Sequence, residues 1–252
     1  MSERKTKELN LHVLVLILTF VFSHDLVLAH GGKGNQRIAS FSKAKKAMRE
    51  VYKGNESSIY CGCTYNGSAV NLANCSFKPK KPKKKRSRRI EWEHLVPAKR
   101  FGDSFSEWKD GHQLCVDKKG KSFKGRNCAR KLSVPFRLME SDLYNLAPAI
   151  GEVNAIRSHL PVTQLKNKTQ NRIQGYCKTV ISSDGIEPRD AAKGQVARAY
   201  LYMAKTYPHH VQLSPQEKSM FDSWHQKFPP SKEERKRSER ITLQQGNSNP
   251  YY

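Results

Sequence analysis

Six cysteines (Cys61, Cys63, Cys75, Cys115, Cys128 and Cys177) all follow an apolar N-terminal run in a chain of 252 residues. Arg4, Lys5 and Lys7 precede the run Leu11 to Phe22, and Val27 and Ala29 are small residues before a cut, the pattern of a cleaved export signal over residues 1–29. The run falls short of the roughly 20 residues a membrane span needs, so a cleaved leader is expected rather than an anchor. An even number of cysteines sent to an oxidising compartment implies disulfides, and six of them allow fifteen pairings among which the sequence does not choose. A zinc site on Cys61, Cys63 and Cys75 is the competing reading, but Cys-x-Cys is tighter than the usual ligand spacing. Disulfides can hold loops in place without a large core.

The charge points to a partner. Lys and Arg number 46 against 22 Asp and Glu, a net charge of +24. The leader contributes Arg4, Lys5 and Lys7 against Glu3, Glu8 and Asp25, so the excess belongs to the mature chain, expected from about His30. Such an excess implies a polyanion, either nucleic acid or an anionic membrane surface. Residues 30–252 are enough for one domain, and a hydrophobic content of 37% supports a core. In Lys78 to Arg89, nine of twelve residues are basic, none is acidic and two are proline. This segment is expected to be an exposed, mobile arm whose Lys83, Lys84, Lys85 and Arg86 bind phosphates.

Periodicity places a first helix over 40–53, capped by Ser42, and Asn66-Gly67 signals a hairpin in a small β segment. Ile90 to Val96 alternates as a strand ending by Pro97, and 102–135 is polar and loop-like. A helix is expected to open near Pro148, another to span about 190–206, and a third to begin at the capping box Ser214-Pro215-Gln216-Glu217. Residues from Pro229 onward are expected to wrap the surface or fray. The class is α+β: a mainly helical, disulfide-stapled single domain with a small β segment.

The chain lacks a phosphate-binding Gly-rich loop, a Gly-x-Ser-x-Gly elbow and a His-Glu-x-x-His motif. It does contain "RRIEWEHLVPAKRFG", then "GRNC", "RLMESDLYNLAPAIGEVNAIRS" and "ARAYLYM", ending in "QGNSNPY". In that order these blocks resemble the endonuclease I family of periplasmic and secreted bacterial nucleases, from about Phe41 to Tyr251. The resemblance implies a ββα-metal catalytic motif in which His94 is the general base and Glu93 and Asn154 are the metal ligands. It also implies that Glu140 orients the histidine and that Arg126 binds the scissile phosphate, with Lys124 as the alternative because one residue is missing before Cys128. The family usually has eight cysteines, and the extra C-terminal pair is absent here.

The chemistry of the residues agrees with that resemblance. Carboxylate and amide oxygens are hard ligands suited to Mg²⁺, with Mn²⁺ or Ca²⁺ as substitutes. A neutral imidazole can take a proton from water. The expected activity is metal-dependent, sequence-nonspecific hydrolysis of DNA, with RNA as a second substrate, leaving 5′-phosphate ends. The expected enzyme is a periplasmic or secreted monomer with no stable membrane association once the leader is removed. The alternative is a non-catalytic basic protein that binds nucleic acid or anionic surfaces, which would need none of Glu93, His94 and Asn154.

Overall fold

The computed structural model describes residues 33–80, 83–168 and 177–252. Gly34–Tyr252 forms one compact unit. The leader expected over 1–29, with Lys81 and Pro82 of the basic segment, lies outside the described residues. Among the described residues no helix is long and apolar enough to cross a membrane.

The first helix, α1 (Phe41–Val51), is capped two positions earlier than expected, because the Ser40 hydroxyl rather than Ser42 accepts the Lys43 amide. Its buried Ala44, Met48 and Val51 recur at helical spacing and face the core. Next come β1 (Tyr65–Asn66) and β2 (Ala69–Val70), paired antiparallel across the expected Asn66-Gly67 turn. The strand β3 (Ile90–His94) is followed by four short helices: α2 (Ala98–Gly102), α3 (Ser106–Lys109), α4 (Arg126–Leu132) and α5 (Val134–Glu140). The loop expected over 102–135 is thus partly helical. Helices of four to seven residues are too short to show an apolar period.

A second correction concerns Pro148. It lies inside β4 (Leu146–Ile150), opposite Trp92 in the antiparallel pair with β3, and helix α6 (Gly151–Arg157) opens three residues later. Proline fits because its carbonyl accepts the Ile59 amide at 2.8 Å while its missing N–H breaks no essential bond in a two-stranded sheet. A short pair, β5 (Val180–Ile181) and β6 (Ile186–Glu187), leads into α7 (Asp190–Thr206), with the bounds its pattern indicated.

Helix α7 is buried on several faces, from Ala192 through Met203, and packs on α8 (Pro215–Lys227) through Tyr200 stacked on Phe221 at 4.3 Å. The Ser214–Glu217 capping box is formed in both directions. The C-terminal segment does not fray. Instead α9 (Lys232–Gln245) buries Arg237, Ser238, Ile241 and Gln245. Its Arg237 donates to the Leu143 and Leu146 carbonyls at 3.1 and 2.9 Å. The helix is polar in composition because its buried face is held by hydrogen bonds, a pattern that hydropathy does not reveal.

All six cysteines are paired, as Cys61–Cys177, Cys63–Cys75 and Cys115–Cys128. With every thiol consumed, the zinc alternative falls. The result is a helix-rich α+β fold with small antiparallel sheets and three disulfides.

Candidate active site

Strand β3, which pairs with β4, and helix α6 line a cleft of about 950 Å³. Alternation along β3 sends Glu91 and Glu93 to one face and Trp92 and His94 to the other. The strand ends at His94, and all four residues line the cleft. Asn145 secures the exit from the strand, accepting the Val96 amide at 2.7 Å and donating to the Val96 carbonyl at 3.0 Å.

His94 is buried and stacked on Phe41, with ring centroids 5.0 Å apart. Its Nε2 lies 2.8 Å from the Glu140 carbonyl, which can only accept, so Nε2 carries the proton and Nδ1 offers a lone pair. Nδ1 lies 3.5 Å from the Arg126 guanidinium, which also lines the cleft. Burial, and after it the Arg126 charge, hold the imidazole neutral, its pKa lowered to about 3. Glu140 therefore sets the ring through its main chain, while its buried carboxylate binds Arg126 and also Arg130, the latter at 2.7 and 2.9 Å.

Glu93 is 3% exposed. Its Oε1 accepts from the Tyr60 hydroxyl at 3.0 Å and from Arg157 at 2.8 Å. Burial pushes the carboxyl above its ordinary value, against the pull of Arg157 and then of the Tyr60 hydrogen bond. Its Oε2 has no hydrogen-bond donor among the described residues and is not sealed from solvent. Asn154, half-buried on α6, donates through Nδ2 to Glu91 at 3.0 Å, which leaves its Oδ1 without a partner among the described residues.

The root of the basic segment is ordered. Residues Lys85–Arg88 form a 3₁₀ turn in which Ser87 is buried, and its hydroxyl donates to Glu152 of α6 at 2.5 Å. Arg86 forks onto Glu91 at 2.9 and 2.8 Å, and Arg89 adds a bond at 3.1 Å. Burial would raise the Glu91 carboxyl, but these arginine hydrogen bonds outweigh it and hold the group below its ordinary value. The segment is exposed as expected at Lys83–Arg86, Arg88 and Arg89, and what local composition does not show is the pair of carboxylates, Glu91 and Glu152, that receive its root. Lys85 and Arg86 line the cleft, whereas the exposed Lys83, Lys84 and Lys124 do not.

A sequence model of the family described as Endonuclease I matches residues 35–252. The chain belongs to the endonuclease I family. A periplasmic deoxyribonuclease of Aeromonas hydrophila is 32% identical, covering 98% of this chain and 97% of its own. An extracellular deoxyribonuclease of the same organism is 36% identical over 84% of this chain and 88% of its own. Endonuclease-1 of Buchnera aphidicola from Acyrthosiphon pisum is 36% identical over 85% and 80%.

In this endonuclease I chain the donors fit a divalent cation. Glu93 Oε2 and Asn154 Oδ1 are hard oxygens without partners among the described residues, they belong to residues lining one cleft, and such oxygens are the donor type that cations like Mg²⁺ take. Among the described residues no group of three or more His, Cys, Asp or Glu side chains assembles for a metal, so softer, closed coordination is not on offer. Sequence reasoning missed Tyr60, Arg157, Arg130 and the roles of Glu91 and Phe41. It also missed Lys45 and Arg49 of α1, which line the cleft one helical turn apart. Their i,i+4 spacing on an amphipathic helix was the available signal.

Proposed function

We propose that this chain is an exported, metal-dependent endonuclease that hydrolyses phosphodiester bonds of DNA, and of RNA as a second substrate, leaving 5′-phosphate ends. Periplasmic and extracellular deoxyribonucleases among its relatives support both the substrate and the export. The arrangement of β3, β4 and α6 supports a ββα-metal reading with Glu93 and Asn154 as ligands of one Mg²⁺. When bound, such a cation offsets charge that accumulates on phosphorus.

The observation that carries the reading is the Nδ1 lone pair of His94, held in a fixed tautomer beside Arg126 in a cleft with cationic side chains. A phosphate drawn to Arg126, Arg86, Lys45 and Arg49 would lie next to that lone pair, where water can lose its proton to Nδ1. The same phosphate neutralises Arg126, the second cause of the low basicity of His94, so the imidazole becomes a better base as substrate arrives. Glu140 keeps the ring in place by its carbonyl and holds Arg126 by its carboxylate.

Plasmid nicking with Mg²⁺, with and without chelator, tests the activity. Wild type should nick and the chelated sample should not. Full turnover by His94→Ala would remove the general base from the mechanism.

A further inference from the structure

The carboxylate of Glu91 receives four hydrogen bonds: two from Arg86, one from Arg89 and one from the Asn154 amide. We propose that Glu91 is the positioning residue of the cation site, fixing which end of the Asn154 amide faces the cleft and fastening the root of the basic segment to the same point. The inference rests on the reading of Glu93 and Asn154 as the cation's oxygen donors.

A side-chain amide has a donor end and an acceptor end of nearly equal size, and a cation tolerates only the acceptor. Nothing in Asn154 itself chooses between them. An ionised carboxylate can only accept, so with Glu91 at 3.0 Å the NH₂ end must turn to it and Oδ1 must turn away. The arginines have a second effect. With both oxygens of Glu91 engaged, the carboxylate stays charged and cannot swing into the cleft to compete for the cation.

The packing around it is specific to this arrangement. Gly151 opens α6 directly beneath the group, and a Cβ there would lie 2.7 Å from the Arg86 carbonyl and 2.9 Å from Glu91 Cδ. Glu91 and Glu93 stand two residues apart on one strand face, so the Glu-Trp-Glu pattern places two like groups side by side with different tasks. One faces the cation, and the other orients the cation's second ligand.

Mn²⁺ binding in the absence of nucleic acid, followed by the electron paramagnetic resonance of free Mn²⁺, tests this on the full mature chain. Near-UV circular dichroism confirms equal native content for each variant. Glu91→Gln can present an NH₂ group to Asn154, and Mn²⁺ affinity should fall about 10- to 100-fold, the usual effect of losing an outer-sphere partner. Pairing Glu91→Gln with Asn154→Asp reverses donor and acceptor, and should recover about tenfold or more of the loss. Glu91→Asp keeps the charge beside the arginines but withdraws it from Asn154. It should weaken binding in the same direction and serves if the glutamine variant does not fold. Wild-type affinity in both single variants, or no recovery in the double variant, overturns the proposal. An Asn154→Ala chain that binds Mn²⁺ like wild type removes the cation site itself, and with it this role for Glu91.

Discussion

Arg157 and Glu93 meet at 2.8 Å with side chains only 1% and 4% exposed, and Arg157 continues to the His94 and Leu95 carbonyls at 2.8 and 2.6 Å. One guanidinium thus ties helix α6 to the end of strand β3 while neutralising a buried carboxylate. Removing one partner of such a pair leaves an unsatisfied charge in the interior, which typically costs about 3–5 kcal/mol. Arg157→Met should lose that much in urea-induced unfolding. Converting Glu93 to Gln in the same chain should recover part of it. An unchanged unfolding midpoint for Arg157→Met would show that the pair contributes nothing net.

The disulfides are expected to differ in weight. Cys61–Cys177 closes a separation of 116 residues, and Cys115–Cys128 one of 13. Loop-closure entropy assigns about 4.7 kcal/mol to a loop near the first length and about 3 kcal/mol to one near the second. Replacing both cysteines by serine in the first bridge should therefore lower stability more than the same change in the second. The first bridge also adjoins Tyr60, whose hydroxyl binds Glu93, so its loss should lower Mn²⁺ affinity as well.

Salt dependence separates cations at the cleft from those outside it. Each phosphate contact on duplex DNA contributes about 0.9 to the slope of log affinity against log salt. Lys45→Gln with Arg49→Gln, both cleft-lining, should reduce the slope by about 1.8. Lys83→Gln with Lys84→Gln, outside the cleft, should change it less. Filter binding in Ca²⁺ with His94→Ala measures both, and equal changes would contradict the division.

Acid stability should depend on Glu217, which Arg100 grips at 2.6 and 2.8 Å. The Arg100 hydrogen bonds hold its carboxyl below the ordinary value against the opposing effect of burial. A depressed folded pKa adds stability that is complete above the unfolded value of 4.5 and is lost as pH falls through the lower folded one. Glu217→Gln keeps a side-chain acceptor for the helix cap, so its melting temperature should trail wild type near neutrality. The two should converge as pH drops below 4.5 and through the lower folded value. A gap that does not narrow would place the effect in packing instead.

Several elements were legible from the chain because their causes are local. The box at Ser214 and Glu217, the span of α7 and the turn at Asn66-Gly67 each depend on residues within a few positions of one another. Ordered motif blocks were equally legible as a family resemblance, since they survive as strings. Pro148 was misread as a helix start because what admits it to β4 is the distant Ile59 amide. The anchoring of the basic segment's root and the order of α9 escaped the sequence for a related reason. Glu91 and Glu152 receive the first, and the Leu143 and Leu146 carbonyls receive the second.

By itself, then, the sequence determined the charge, the even set of cysteines, the longer helices and the chemical types gathered at Glu91 to His94. Only the tertiary structure decided how the cysteines pair, that Glu140 acts on His94 through its carbonyl, and that Glu91 rather than Glu93 holds the Asn154 amide. The reason is geometric. A hydrogen bond fixes an atom only to within its own direction and length, and the partners that do so here lie 46 and 63 positions away, beyond the reach of any local pattern.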